Sequence, residues 1–143
     1  MRLLVILTIL MGSFIGVQAQ KVLKTNNINR GIASYYHPKF EGRKTATGEV
    51  FTNDKYTCAN NQLKLGTFIK VTNLSNGKVV YVKVNDRMAA NNHRLVDLTS
   101  AAAEHLNFKS QGTTNVRYDI VSEAEGRGGI LAQREISGRR NTL

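Results

Sequence analysis

The chain has 143 residues, with 20 Lys and Arg against 10 Asp and Glu, a formal net charge of +10. A single cysteine, Cys58, excludes an internal disulfide framework, so the fold must rest on its apolar core. His37, His93 and His105 share no metal-ligand spacing with one another, with Cys58 or with a carboxylate, which argues against a zinc hydrolase; no metal and no cofactor are expected.

The first residues carry an address. Arg2 precedes a run, 3–17, that is apolar apart from Thr8, Gly12, Ser13 and Gly16, and Val17-Gln18-Ala19 offers small side chains for cleavage. Residues 1–19 are therefore predicted to be a secretory signal peptide. The apolar run is short for a membrane span, so no stable membrane insertion is expected after cleavage. No cysteine lies at the cut to carry a lipid, and a periplasmic or envelope-associated protein is expected. In that compartment the positive charge points to wall polymers, anionic lipids or acidic glycans rather than nucleic acid. The remaining length suits one domain and not two.

Residues 20–30 read as a flexible lead. Residues 31–36 alternate as a strand, and 37–49 form a polar loop broken by Pro38. Strands are predicted at 68–72 and 79–84, joined through Ser75-Asn76-Gly77, where Asn-Gly tolerates positive φ. A short strand at 95–98 leads into a helix capped by Thr99 or Ser100 and running to about Phe108. A last strand covers 115–121. The Gly/Arg-rich stretch 123–143 loses periodicity and reads as a mostly disordered tail. Five or six short strands and one helix suggest a small β-barrel, with a β-sandwich as the alternative.

Most of the ten carboxylates have simple surface explanations. Glu104 lies on a helix face and Asp119 within a strand; Glu123, Glu125 and Glu135 fall in the tail. Asp54 sits in a turn-like run, and Glu41 neighbours Arg43 and Lys44. Three remain beside ordered apolar sequence: Glu49, Asp86 in Val84-Asn85-Asp86-Arg87, and Asp97 in Leu95-Val96-Asp97-Leu98. Two carboxyl groups across a sugar bond are the minimum for cleaving it, one delivering a proton and the other stabilising positive charge. Cys58 reads as a buried, inert thiol.

Gly31-Ile32-Ala33-Ser34-Tyr35-Tyr36 and Phe40-Glu41-Gly42-Arg43-Lys44-Thr45-Ala46-Thr47-Gly48-Glu49 open a series of motifs. Leu65-Gly66-Thr67, Val71-Thr72-Asn73-Leu74 with Asn76-Gly77, Val84-Asn85-Asp86-Arg87, and Val96-Asp97-Leu98-Thr99 with Ala101-Ala102-Ala103 follow in order. Together they resemble the rare lipoprotein A (RlpA) family over about residues 31–121.

The resemblance implies a mainly β fold, a six-stranded double-psi β-barrel with one or two short helices over residues 31–122, shared with expansin N-terminal domains and some endoglucanases. It also implies a lytic transglycosylase that acts on peptidoglycan glycan strands, favouring strands stripped of stem peptides. Such an enzyme cuts the MurNAc–GlcNAc β-1,4 bond without water and leaves a 1,6-anhydro end. A monomer is expected, with peptidoglycan as its partner.

On this resemblance the catalytic residues are Asp86 and Glu49. Asp86 is expected as the acid/base, with Glu49 stabilising charge or orienting the sugar; the exchanged assignment stays open. Asp97 is a supporting acid, or else a structural one that caps the following helix or bonds barrel backbone. Asn60, at a position where the family carries histidine, is a second supporting residue; it can bond sugar but cannot shuttle a proton. Tyr35, Tyr36, Asn60 and Arg87 are expected to contact glycan, with core packing as the other reading of the tyrosines. Met88-Ala89 stands where the family tends to have Gly-Pro. The alternative function is a non-catalytic, expansin-like wall-binding module.

Overall fold

The computed structural model describes residues 29–142. The expected signal peptide, 1–19, and residues 20–28 of the expected lead lie outside the described residues. Six strands form one closed barrel: β1 (Arg30–Tyr35), β2 (Thr57–Ala59), β3 (Phe68–Asn73), β4 (Val79–Asp86), β5 (Val96–Leu98) and β6 (Thr114–Val121), in spatial order β1-β5-β2-β4-β3-β6. The pairs β1/β5 and β2/β4 are parallel, and the other four are antiparallel.

Alternation builds this barrel. In β4, Val80, Val82 and Val84 are fully buried while Tyr81 and Lys83 face outward; Ile69 and Val71 of β3 enter the same core. β3 turns into β4 at Asn73–Gly77, where Gly77 takes φ 75° and its N–H donates to the Asn73 carbonyl at 2.8 Å. A helix, α1 (Ser100–His105), closes the core. Thr99 caps it by accepting from the Ala102 N–H, and small Ala102 and Ala103 let Leu106 and Phe108 reach the interior. Burying each of those two larger side chains contributes about 1.5–3 kcal/mol.

Two elements differ from the sequence expectation. β2 falls in a stretch with no predicted strand. All three of its residues are buried, so it has no alternating pattern to detect. The second is the tail, which is not disordered: Glu123–Arg140 forms an 18-residue helix, α2, longer than the short helices expected, packed across β3 and β4. The glycines that weaken its helical propensity are its contact surface. A Cβ on Gly126 would lie 2.4 Å from Phe68 Cδ1, and one on Gly129 2.4 Å from Tyr81 Cδ2. Gln133, 5% exposed, then clamps β4: its Oε1 accepts from the Tyr81 N–H at 2.6 Å and its Nε2 donates to the Tyr81 carbonyl at 2.9 Å. Three-residue β2 reaches β4 only at Lys83 and beyond, so the Gln133 amide supplies a ladder rung that β2 does not.

Gln133→Ala is expected to leave both Tyr81 backbone groups unpaired and to lower the unfolding free energy by about 1–3 kcal/mol in urea titration. A loss below about 0.5 kcal/mol, the range of ordinary surface substitutions, would contradict the clamp.

Candidate active site

β5, β2 and β4 lie side by side, and their register sets the site. Ala59 of β2 pairs with Asp97 on one side and Asp86 on the other, while Ser34 of β1 pairs with Asp97. Ser34, Asp97, Ala59 and Asp86 therefore form a row on one face. Two strand spacings put the two aspartate backbones about 10 Å apart, with Ala59, itself only 1% exposed, between them. The neighbouring row, Tyr35, Leu98 and Cys58, faces the core. A register irregularity between Cys58 and Ala59 sets Asp86 opposite Ala59.

Asp86 ends β4, half-buried. Its Oδ1 accepts from the Ala46 and Arg87 backbone N–H groups, each at 2.9 Å, and its Oδ2 accepts from the Tyr36 hydroxyl at 2.7 Å. Burial first, then the hydrogen bond to Asp86, push the Tyr36 phenol well above its usual range, so it stays an O–H donor at neutral pH.

Glu49 belongs to the turn after Lys44, closed by an antiparallel bridge from Lys44 to Val50 and by the Gly48 N–H donating to the Thr45 carbonyl. That turn is stapled to the end of β4 by the Ala46–Asp86 bond and by the Thr47 N–H donating to the Asn85 carbonyl at 3.2 Å. Glu49 is exposed, and its Oε1 accepts from the Thr47 hydroxyl at 3.1 Å. Among the described residues its Oε2 has no protein partner.

Asp97 is engaged on every side. Its Oδ1 accepts from Ser34 Oγ at 2.8 Å, and Arg94 donates Nε to Oδ1 at 2.7 Å and Nη2 to Oδ2 at 2.9 Å. With 15% of its side chain exposed, it is a paired structural acid rather than a free one. It does not cap α1, a role that falls to Thr99.

Two expected glycan contacts lie elsewhere. Tyr35 is one residue out of phase with Tyr36, so its ring packs edge-on against Phe108 and its hydroxyl donates to the Lys109 carbonyl. Asn60 is fully buried. Its Oδ1 accepts from the Gln62 and Leu63 N–H groups at 2.8 Å each, and its Nδ2 donates to the Leu95 carbonyl at 3.0 Å. Both polar atoms of its side chain serve backbone, Oδ1 the turn after β2 and Nδ2 the residue before β5. Arg87 is exposed, but its guanidinium folds back to donate to the Asn60 carbonyl. Beyond it, the Met88 N–H donates to Asn61 Oδ1 at 2.9 Å, which anchors the loop in which Met88-Ala89 stands. Cys58 is buried in the core, and burial, then the nearby Asp97 and Asp86 charges, push its thiol up. It is no nucleophile.

Sequence reasoning missed Ser34, Arg94 and the backbone of Ala46 as site components. Only Arg94 carried a signal, its three-residue spacing from Asp97. A cleft of about 560 Å³ between α1 and α2, lined by Tyr56, Glu104, His105, Arg134 and Arg140 among others, contains none of the three acids. The acids lie instead on the open face of the barrel.

Asn60→Ala is expected to leave two N–H groups and one carbonyl unpaired and to cost about 3 kcal/mol in urea unfolding; Asn60→His, bulkier and unable to reproduce all three bonds, is expected to destabilise as well. Wild-type stability in both variants would show that Asn60 does not anchor β2.

A family model described as "Lytic transglycolase" matches residues 28–118. Among curated proteins, the endolytic peptidoglycan transglycosylase RlpA of Haemophilus influenzae is 42% identical over 98 residues, covering 68% of this chain and 34% of the relative. The probable endolytic peptidoglycan transglycosylase RlpA of Synechocystis is 47% identical over 94 residues, 66% of this chain and 29% of the relative. The chain thus spans about a third of the length of these relatives. Among solved structures, the apo expansin of Clavibacter michiganensis aligns with a TM-score of 0.53 at 23% identity, covering 66% of this chain and 50% of the expansin, a likeness of fold. The match over most of the barrel, on a closed sheet of six strands with both parallel pairs in place, makes this chain a member of the RlpA-type lytic transglycolase family of double-psi β-barrels.

Proposed function

We propose that this barrel is an exported peptidoglycan lytic transglycosylase that cleaves MurNAc–GlcNAc β-1,4 bonds in glycan strands free of stem peptides. The observation that carries this reading is the fixed Asp86 carboxylate with the Glu49 turn stapled to the same strand end. The names of the relatives, which specify endolytic action on peptidoglycan, support the substrate. The net charge of +10 suits an anionic wall. Among the described residues no helix is long and apolar enough to cross a membrane.

The geometry favours the exchanged assignment of roles. All three partners of Asp86 donate to it, an environment complementary to an anion. Asp86 then stabilises the oxocarbenium-like charge that develops at C1 of the muramoyl sugar. Glu49, exposed and with one oxygen unengaged, is the acid/base. Its proton passes to the glycosidic oxygen as the C1–O4 bond breaks and the electron pair leaves with O4. The 6-hydroxyl of the same muramoyl sugar then attacks C1, and its proton returns to Glu49. The product is a 1,6-anhydro end, no water is consumed, and the carboxylic acid is regenerated. Holding the sugar so that its own hydroxyl reaches C1 replaces the positioned water of a hydrolase. An extended polymer also fits an open face better than a closed pocket.

The mature protein, incubated with denuded glycan strands, is expected to release anhydro-muramoyl products detectable by mass spectrometry. Glu49→Gln and Asp86→Asn should each lower the rate by about 10²- to 10⁴-fold. If wild type binds strands as well as Asp86→Asn does and neither yields product, the protein is a non-catalytic wall-binding module and the enzymatic reading fails.

A further inference from the structure

Tyr36 combines properties that a sugar-stacking residue does not need. Its backbone N–H donates to the Leu98 carbonyl at 2.9 Å, which fixes the chain just beyond β1. Its ring lies 4.3 Å from the ring of buried Phe51 and 5.9 Å, edge to face, from that of Phe40. Phe40 is in turn approached by the cations of Lys39 and Arg43 at 5.3 and 5.4 Å from its centroid. Backbone, ring and hydroxyl are each held by a different partner, so the residue has little freedom to move onto a ligand.

We infer that Tyr36 is a positioning residue for Asp86: its hydroxyl fixes Oδ2 while two backbone N–H groups fix Oδ1, which locks the carboxylate plane toward the reacting sugar. The inference rests on the transglycosylase reading above and replaces the expectation that the Tyr36 ring stacks on glycan. The three donors come from three separate segments, the end of β1, the Glu49 turn and the residue after Asp86 itself. The two backbone donors share one oxygen, so they orient Oδ1 and leave the carboxyl plane free to rock about it. Among the described residues only Tyr36 reaches Oδ2, and it alone removes that freedom. The remaining charged or titratable groups that press on this phenol are Asp97 and Cys58, both accounted for by Arg94 and by core burial. The Tyr36 phenol remains protonated through the working pH range, so its donation is constant and does not switch.

The test is Tyr36→Phe, which keeps the ring and deletes only the hydroxyl. A hydrogen bond to a charged acceptor is expected to matter by about 10- to 100-fold in kcat, with KM nearly unchanged, because the lost contact acts on the transition state. Losing a donor to the anion should also move the acid limb of the pH–rate profile to higher pH. A raised KM with unchanged kcat would make Tyr36 a sugar contact and overturn the inference, as would wild-type kinetics. An activity-free readout separates this from failure of the transglycosylase reading. The Asp86 carboxyl carbon, followed by NMR through a pH titration, should have a higher midpoint in Tyr36→Phe than in wild type even if neither protein turns over. An unchanged midpoint overturns the inference, whereas a shifted midpoint in a wild type that makes no anhydro product sinks only the enzymatic reading. Phe51→Leu, which loosens the ring but keeps the hydroxyl, covers the case in which Tyr36→Phe does not fold; it should shift the same midpoint upward by a smaller amount, and no shift would count against the inference.

Discussion

β2 holds three residues, all buried, and bonds to a parallel neighbour, β4, on one side and an antiparallel neighbour, β5, on the other. Everything at the site depends on that short strand staying in register. It brings Asp97 and Asp86, eleven positions apart in sequence, to either side of Ala59. A one-residue slip would turn Asp86 into the core and Val84 or Asn85 onto the face. Asn60 resists the slip from one end, since its side chain occupies three backbone groups and its N–H donates to the Asp86 carbonyl. At the other end, the Thr57 carbonyl accepts from the Thr99 N–H at the start of α1. Asn60 is thus given to holding the strand.

With the register set, the acids separate by environment. Asp97 is neutralised by a bidentate arginine and a serine hydroxyl, so it shapes the face without competing for a substrate proton. Among the described residues Asp86 has three donors and no salt-bridging cation, which on the proposed mechanism leaves it facing a developing positive centre. Glu49 has one weak tether and open solvent around it. On the proposed assignment, two acids held by several donors and one left with a single tether divide the work of an acid/base reaction on a sugar bond. In the proposed mechanism, proton exchange with the leaving oxygen and the 6-hydroxyl calls for a group that can move slightly between them, and exposed, singly tethered Glu49 suits that part.

The barrel was legible in the sequence where one face is buried and the other wet. Val80, Val82 and Val84 against Tyr81 and Lys83 mark β4 without ambiguity, and Asn76-Gly77 marks its hairpin. β2 was not legible, because a strand buried on both faces has no period. α2 was misread for the opposite reason: Gly126 and Gly129 look like helix breakers until Phe68 and Tyr81 are placed beneath them. The three acids were picked out by their apolar neighbours and by family motifs, but partnership could not be read that way. One-residue alternation separates Tyr35 in the core from Tyr36 at Asp86, and Asn60 is polar in sequence yet fully enclosed. Those distinctions arise from contacts 27 to 74 positions apart, which no local pattern carries.

The central claim is spatial: the scissile bond lies on the open face, between the Glu49 turn and the end of β4. The most direct measurement is a crystal structure of the Asp86→Asn protein with a short, peptide-free muramoyl oligosaccharide bound. The account predicts the glycosidic oxygen within hydrogen-bond reach of the Glu49 carboxyl and C1 facing position 86. An oligosaccharide seated in the cleft between α1 and α2, or crossing the face with its glycosidic bonds remote from both acids, would contradict it.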